Sequence, residues 1–366
     1  MRFSEFSGEW EKHLTTDFFE FKNGLNPDVK RFGSGTKFIS VMDILNNRYI
    51  TYDKIISSVE AKDDDLRDFG VNYGDILFQR SSETLEDVGR ANVYLDEKPA
   101  LFGGFVIRGK RIGDYNPLFF RYLLSSPSVR KRIIVKGAGA QHFNIGQDGL
   151  SKVSLFVPSA KEQDRIAQLL NAIDKRIEVQ SGLIEKLESL ISGIIERITA
   201  QSPNVRIADC LDCHSSTLQE NQLNEAGGYR VYGANGICGY TDNPGINCDA
   251  ILIVKDGSGV GNVSYAMGEY SVIGTSNYLT AKNGYSLRYL YFSLKKFNFA
   301  PYKTGMAIPH IYFKDYGKAK IYCPSLEEQE RIANNLSKIG RKIEIERSIK
   351  DCCIVQKQYL LQQMFI

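Results

Sequence analysis

Long apolar runs are missing from this chain of 366 residues. None approaches the roughly 20 residues that a bilayer-spanning helix needs. The opening Met1-Arg2-Phe3-Ser4-Glu5 carries no export-signal pattern, so a cytoplasmic protein with no membrane partner is expected. Charge of one sign is equally scarce: 46 basic against 43 acidic residues leave +3. That excludes a protein that holds nucleic acid by net charge alone, because such affinity needs many phosphate contacts. It permits cations placed locally. The seven cysteines are an odd number, which argues against a disulfide framework.

Catalytic signatures are lacking as well. There is no G-x-x-x-x-G-K-[ST] phosphate loop and no H-E-x-x-H zinc helix. Cys210-Leu211-Asp212-Cys213-His214 has the spacing of a covalent haem attachment. That chemistry belongs to exported proteins, and no second ligand pair for zinc stands nearby, so a packing role is expected and no metal or cofactor is assigned to the chain. Asn116-Pro117-Leu118-Phe119 approaches the N-P-P-[YF] loop of adenine methyltransferases but lacks the second proline. Pro117 is better placed in the first turn of a helix. Gly257-Ser258-Gly259-Val260-Gly261 lies between two strand-like runs, where a hairpin loop is expected rather than a nucleotide site.

What is present is a repeat. Pro158-Ser159-Ala160-Lys161-Glu162-Gln163-Asp164-Arg165-Ile166-Ala167 returns as Pro324-Ser325-Leu326-Glu327-Glu328-Gln329-Glu330-Arg331-Ile332-Ala333, an offset of 166 residues. A period this long is a whole domain plus a helix. The hydrophobic fraction of 43% and charged fraction of 24% are those of globular domains. Residues 1–157 read as one body, 158–200 as a helix, 201–323 as a second body and 324–366 as a second helix. In the first body Ile76-Leu77-Phe78, Val93-Tyr94-Leu95 and Phe105-Val106-Ile107 read as strands, and Pro117 opens a helix that stops near Ser125-Ser126-Pro127. In the second body Ile251-Leu252-Ile253-Val254 answers the first of these strands. Leu287 to Leu294 answers the helix, with Tyr291 opposite Tyr122.

The segment from Ala160 to Ile198 spans 39 residues, about 58 Å as a helix. Under the offset its apolar positions pair: Ile166 with Ile332, Leu170 with Leu336, Ile173 with Ile339, Ile177 with Ile343. They continue as Leu183 with Ile349, Leu187 with Cys353, Ile194 with Leu360 and Ile198 with Met364. Most of these spacings alternate between four and three, the heptad signature of helices packed on one another. Gln180 and Glu346 interrupt both stripes at one place, as register-setting polar residues do. Two helices that leave similar bodies in the same sense close a pseudo-two-fold pair only if they run antiparallel. The expected fold is therefore α/β in the α+β sense. It has two globular bodies with mixed sheets, separated by two long antiparallel helices forming a coiled coil.

Candidate polar residues cluster after the paired strands and in a glycine-rich turn before the last strand of each body. Arg80 and Ser81 follow the first strand, and Lys255 and Ser258 the second; Arg and Lys engage phosphate or guanine, and Ser positions on phosphate. Arg130, Lys131 and Arg132 form the densest basic run. The turn Gly137-Ala138-Gly139-Ala140-Gln141-His142-Phe143-Asn144 has a counterpart in Thr304-Gly305-Met306-Ala307-Ile308-Pro309-His310-Ile311. Two of only four histidines, His142 and His310, are expected at matching places. Both turns are expected either to position a loop or to meet phosphate.

The P-[SP]-x-x-E-Q-x-R-I-A helix start, at Pro158 and again at Pro324, resembles the specificity subunits of type I restriction–modification enzymes. The Gly74-Asp75-Ile76-Leu77-Phe78 run and the Y-G-A-N-G-I core within Tyr229 to Gly239 carry the same resemblance, which covers essentially the full length. It implies two target-recognition domains, each reading one half of a bipartite, asymmetric site on double-stranded DNA. The helix pair would act as a ruler for the gap between the halves. It also implies no catalysis by this chain. Two modification subunits would supply S-adenosylmethionine chemistry at adenine N6, and a restriction subunit, where one joins, would supply ATP- and Mg-dependent translocation and cleavage. A DNA methyltransferase of unusual motif order is one rival; it would bind S-adenosylmethionine by itself. A non-DNA scaffold joining two protein-binding domains by a helical tether is the other, and it would show no salt-sensitive DNA binding.

Overall fold

The computed structural model describes residues 2–139 and 141–365; Met1, Ala140 and Ile366, of which the first two figure in the motifs above, lie outside the described residues. Two compact units are present, Met1–Ser181 with Ser348–Ile366 and Gly182–Arg347. No helix among the described residues is long and apolar enough to cross a membrane.

In the first unit a four-stranded antiparallel sheet takes the order Phe19–Asn23, Val106–Arg111, Ile76–Gln79, Ala91–Val93. Ile76–Gln79 is buried at every position, which is why its first three residues read as an unbroken apolar run rather than an alternating one. A second sheet is mixed: Phe32–Ile39 pairs antiparallel with Ser58–Val59 and parallel with Leu101–Phe102. Between the first two of these strands comes the short helix α1 (Val41–Asn46). Its entry is fixed by the Ser40 backbone N donating to Asp43 Oδ2 at 2.7 Å. Helix α2 (Pro117–Ser125) begins where Asn116 Oδ1 accepts from the Phe119 backbone N at 2.9 Å. Pro117 then supplies a preset φ at a position whose N–H has no helical partner. Pro127 holds Ser126 extended, ends α2 and opens α3 (Pro127–Ile134). The core beneath is aromatic, with Phe120 at 4.7 Å from Phe18 and 4.2 Å from Tyr115 between ring centroids. After the strand Ser154–Val157 comes α4 (Ala160–Thr199), 40 residues long.

In the second unit the antiparallel sheet runs Leu211–Ser215, Ser276–Ala281, Ala250–Val254, Val263–Ala266. Numbered along the chain, both sheets have the order first, fourth, second, third. The second mixed sheet repeats too: Tyr229–Gly233 pairs antiparallel with Gly236–Thr241 and parallel with Ser271–Val272. Gly257 to Gly261 forms the turn of the hairpin between Ala250–Val254 and Val263–Ala266, with positive φ at Gly257 and Gly261. Helix α5 (Leu287–Lys295) is capped by Ser286, whose Oγ accepts from Tyr289 N at 3.5 Å. The chain closes with α6 (Leu326–Gln363), 38 residues long.

The two long helices pack antiparallel. In the first unit Asp174 on α4 meets Lys357 on α6 at 2.6 Å; in the second, Glu188 on α4 meets Arg347 on α6. As numbers rise on one helix they fall on the other. Ile166, Leu170 and Ile173 are buried in one cluster with Cys353, Leu360 and Met364, and Ile177 and Ile349 pack against it. Each fully buried side chain of this kind contributes about 1.5–3 kcal/mol. Ile332 and Ile198 pack on the second unit's core, and Leu336 and Ile343 are buried while Ile339 is half-buried.

Further along α4 the heptad reading shifts. Ile184 and Ile195 are buried, 7% and 2% exposed, whereas Leu183, Leu187 and Ile194 are only half-buried. Ile184 lies seven residues past Ile177, one full heptad on, so the buried stripe keeps its period and the expected step of six to Leu183 falls one residue short of it. Of the two polar interruptions, Glu346 is buried and accepts Lys342 from the previous turn, and Gln180 is half-buried.

Candidate functional site

The repeated helix start is explained by one side chain. Gln163 Nε2 donates to Pro158 O at 3.0 Å while its Oε1 accepts from Asn116 N at 3.0 Å. Gln329 does the same with Pro324 O at 2.8 Å and Ser286 N at 3.0 Å. Each amide ties the start of a long helix to the N-cap of an earlier helix of the same unit, α2 or α5, and both glutamines are buried. Only an amide has a donor and an acceptor at this spacing; a carboxylate would leave the proline carbonyl unpaired. The same anchor fixes the correspondence of the two helices: Asn116 answers Ser286, so Arg121, not Tyr122, answers Tyr291. The residue facing Tyr122 is Phe292.

The preceding loops also repeat. In the first unit the turn is closed by Ala138 and Asn144, which exchange backbone hydrogen bonds of 2.9 and 2.8 Å. In the second Thr304 and His310 exchange bonds of 2.9 and 2.8 Å. Gly139 and Gly305 bend these turns with φ of +144° and +87°, and a Cβ at either would meet a carbonyl oxygen at 2.0 or 2.4 Å. The next residue docks on the strand-end residue: Ile145 N donates to Arg80 O at 3.0 Å, and Ile311 N to Lys255 O at 2.9 Å. The equivalent of His310 is therefore Asn144, and His142 lies two residues off, on the exposed part of its turn. The expected pairing of histidines fails because the backbone closure, and not the histidine, is what repeats.

The structure brings four of the first-body candidates together. Ser81–Ser82 pairs antiparallel with Phe143–Asn144, and Ser81 Oγ donates to Asn144 Oδ1. Arg80 closes the patch on the other side, its Nη1 donating to Gly104 O at 3.2 Å. Exposed His142 borders it. In the second body Lys255, exposed Ser258 and His310 form the matching patch, with Gly257 N donating to Pro309 O at 2.9 Å. The tips differ in chemistry: Met306 and Ile308 stand fully or largely exposed on the second turn.

The basic run does not join this patch. Arg130 Nη2 donates to Glu86 O at 2.8 Å and Val88 O at 2.7 Å, clamping a loop, and burial pushes its guanidinium down to about 10. Arg132 Nη1 donates to Ser154 O at 3.1 Å, and its guanidinium lies over Phe156. Lys131 is exposed on α3. Three neighbours on a helix point about 100° apart, so a sequence cluster of this kind cannot present one surface. Gln79, which opens the polar run after Ile76-Leu77-Phe78, is buried at the end of its strand, and its Nε2 donates to Ser81 O at 2.9 Å and so holds the patch from beneath.

The C-x-x-C-H residues are engaged in packing. Cys210 is buried, and contact with the Cys323 thiol together with desolvation pushes its own thiol up. His214 hydrogen-bonds Thr280 Oγ1 at 3.0 Å and stacks on Tyr278. No cluster of three or more metal-ligating side chains occurs among the described residues.

Residues 7–189 and 204–351 match the family described as Type I restriction modification DNA specificity domain. A curated relative, the type I restriction enzyme EcoKI specificity subunit of Escherichia coli (strain K12), is 26% identical over 183 residues. That match takes in 49% of this chain and 37% of the relative, well under half its length. Among solved structures, the type I restriction-modification system S subunit from M. genitalium superposes with a TM-score of 0.69 at 18% identity, covering 100% of this chain and 99% of that one. A chain from a structure on complex assembly and conformational transition of the type I R-M system gives 0.56 at 14% identity, covering 97% of each. Both are similarities of fold.

Proposed function

Because this chain belongs to the type I restriction-modification DNA specificity family, we propose that it is the DNA-reading subunit of such a system. One loop patch, Arg80, Ser81, His142 and Asn144, meets one half of a bipartite site on double-stranded DNA. The other, Lys255, Ser258 and His310, meets the second half. The observation that carries this reading is a repeated backbone frame that presents dissimilar side chains: turns of one geometry end in Asn144 in one unit and His310 in the other. Dissimilar readers on one frame suit an asymmetric sequence. The repeated helix starts suit recruitment of two identical modification subunits.

The chain itself carries no catalytic step in this reading. S-adenosylmethionine binds the modification subunits, and ATP and Mg bind a restriction subunit where one joins. The assembly works in the cytoplasm, where its DNA lies. The long helices set the gap between half-sites. Four residues inserted in each would lengthen them by about 6 Å, about two base pairs of rise. Co-expression with the modification subunit and genome-wide mapping of methyladenine tests this. Unchanged half-sites with a longer gap are expected; an unchanged gap overturns the ruler, and no methylation with an assembled complex overturns the reading.

A further inference from the structure

A cavity of about 1020 Å³ opens in the second unit between α5, the strand Val263–Ala266 and the adjoining stretches of α4 and α6. The first unit has the same place, and there it is filled. The glutamine anchors and the strand registers Ile76 with Val93 and Ile251 with Tyr265 fix the correspondence. Asn92, Arg121, Asn171, Asp174 and Glu178 answer Ser264, Tyr291, Ser337, Gly340 and Glu344, and all five of the latter line the cavity.

In the first unit these positions hold down the segment 41–50. Asn92 Nδ2 donates to Ile44 O at 3.0 Å and Asn47 O at 2.7 Å. Arg48 donates to Asn171 O at 3.2 Å and to Glu178 Oε2 at 2.9 Å. Arg121 fills the floor, bonded to Asp174 at 3.3 Å and Asn92 at 3.2 Å. The covering segment lies between Phe32–Ile39 and Ser58–Val59. In the second unit the corresponding strands Tyr229–Gly233 and Gly236–Thr241 are joined through Ala234 and Asn235 alone, so no cover is made. The floor is lost too: at Gly340 a Cβ would meet nothing within 4 Å.

The lining of the second unit's cavity is rich in cations. Glu188 is paired with Arg347, and Lys296 with Glu196. Arg288, Lys295 and Arg341 have no carboxylate partner among the described residues, against the single unpaired acid Glu344. Arg288 and Lys295 lie instead over the rings of Tyr265 and Tyr291.

We propose that this cavity docks an acidic polypeptide segment carrying an apolar or aromatic side chain, supplied by a partner chain at the place where the first unit supplies its own cover. The frame accepts a peptide cover, as its filled copy demonstrates, and the uncompensated cations select one of opposite charge. The proposal does not depend on the reading of DNA given above.

The test uses the full chain and two labelled peptides in fluorescence anisotropy. One has the sequence of residues 40–50 of this chain; the other is its R48E form. The R48E peptide is expected to bind saturably and the native peptide about tenfold more weakly, the effect of reversing one partly exposed pair. Ser337→Trp, which fills the cavity, and the exposed Arg341→Glu are each expected to abolish binding with helicity by circular dichroism unchanged. Failure of the R48E peptide to saturate, equal binding of the two peptides, or indifference to both substitutions overturns the proposal. So does displacement of the peptide by a short DNA duplex, which would make nucleic acid the occupant.

Discussion

The two units share strand order, helix anchors and turn closure, yet they treat one interior site in opposite ways. In the first, Asp174 is buried and accepts from Tyr122 OH at 2.7 Å, Arg121 at 3.3 Å and Lys357 at 2.6 Å. In the second, Gly340 stands where Asp174 would be, and a cavity replaces the network. A buried carboxylate is tolerable only when every neighbour that needs it is supplied at once. Deleting the acid therefore goes with deleting its cation, and Arg121 is answered by Tyr291. The comparison teaches that the backbone frame is held by the few side chains that bond to main chain, while the interior between them is free to diverge.

The comparison breaks most visibly at Asp174. Asp174→Ala leaves Lys357, Arg121 and the Tyr122 hydroxyl without their acceptor and should cost about 4 kcal/mol. Hydrogen exchange should place the loss in residues 117–125 and 348–363, with the second unit unchanged. A uniform loss over both units would show that their stabilities are not separable.

Glu162 and Glu328 sharpen it next. Glu162 is 1% exposed and accepts from Arg2 Nε at 2.7 Å, Arg2 Nη2 at 2.6 Å and Trp10 Nε1 at 3.3 Å. Its counterpart Glu328 is half-buried, and its carboxylate pairs with Arg331 on its own helix. Glu162→Ala should lower stability by about 2 kcal/mol in denaturant unfolding, and Glu328→Ala should have no measurable effect. Equal losses would mean that the repeated glutamate serves one role in both units. The smallest difference is expected at the anchors. Gln163→Ala and Gln329→Ala each remove two hydrogen bonds and should each cost about 1.5 kcal/mol, with matching unfolding midpoints. A gap of more than about 1 kcal/mol between them would show that the frames are not equivalent where they look most alike.

The repeat, the helix starts and the strand runs were legible because local periodicity and capping chemistry leave marks at fixed spacings. Asn116-Pro117 reads as a helix start from its own two residues. The seam of the long helices was legible up to Ile177 and misplaced by one residue beyond it, since a stripe of isoleucines and leucines at 183, 184, 194 and 195 offers two equally apolar paths. The candidate patches were half legible. Arg80, Ser81 and Asn144 do come together, whereas the run Arg130-Lys131-Arg132 disperses and His142 does not answer His310. Proximity in sequence says little about which surface a helical side chain faces, and backbone closure leaves no residue type behind to be recognised.

Sequence alone determined that the chain is two related bodies with two long helices, because duplication, apolar period and cap residues are written one position at a time. Which arginines are clamps, where the seam crosses from Ile177 to Ile184, and which unit keeps its interior site closed were decided only by tertiary structure. Those depend on distances between residues such as Arg48 and Asn171, or on the room beside Gly340, and such distances are set by the packing of segments far apart in the chain.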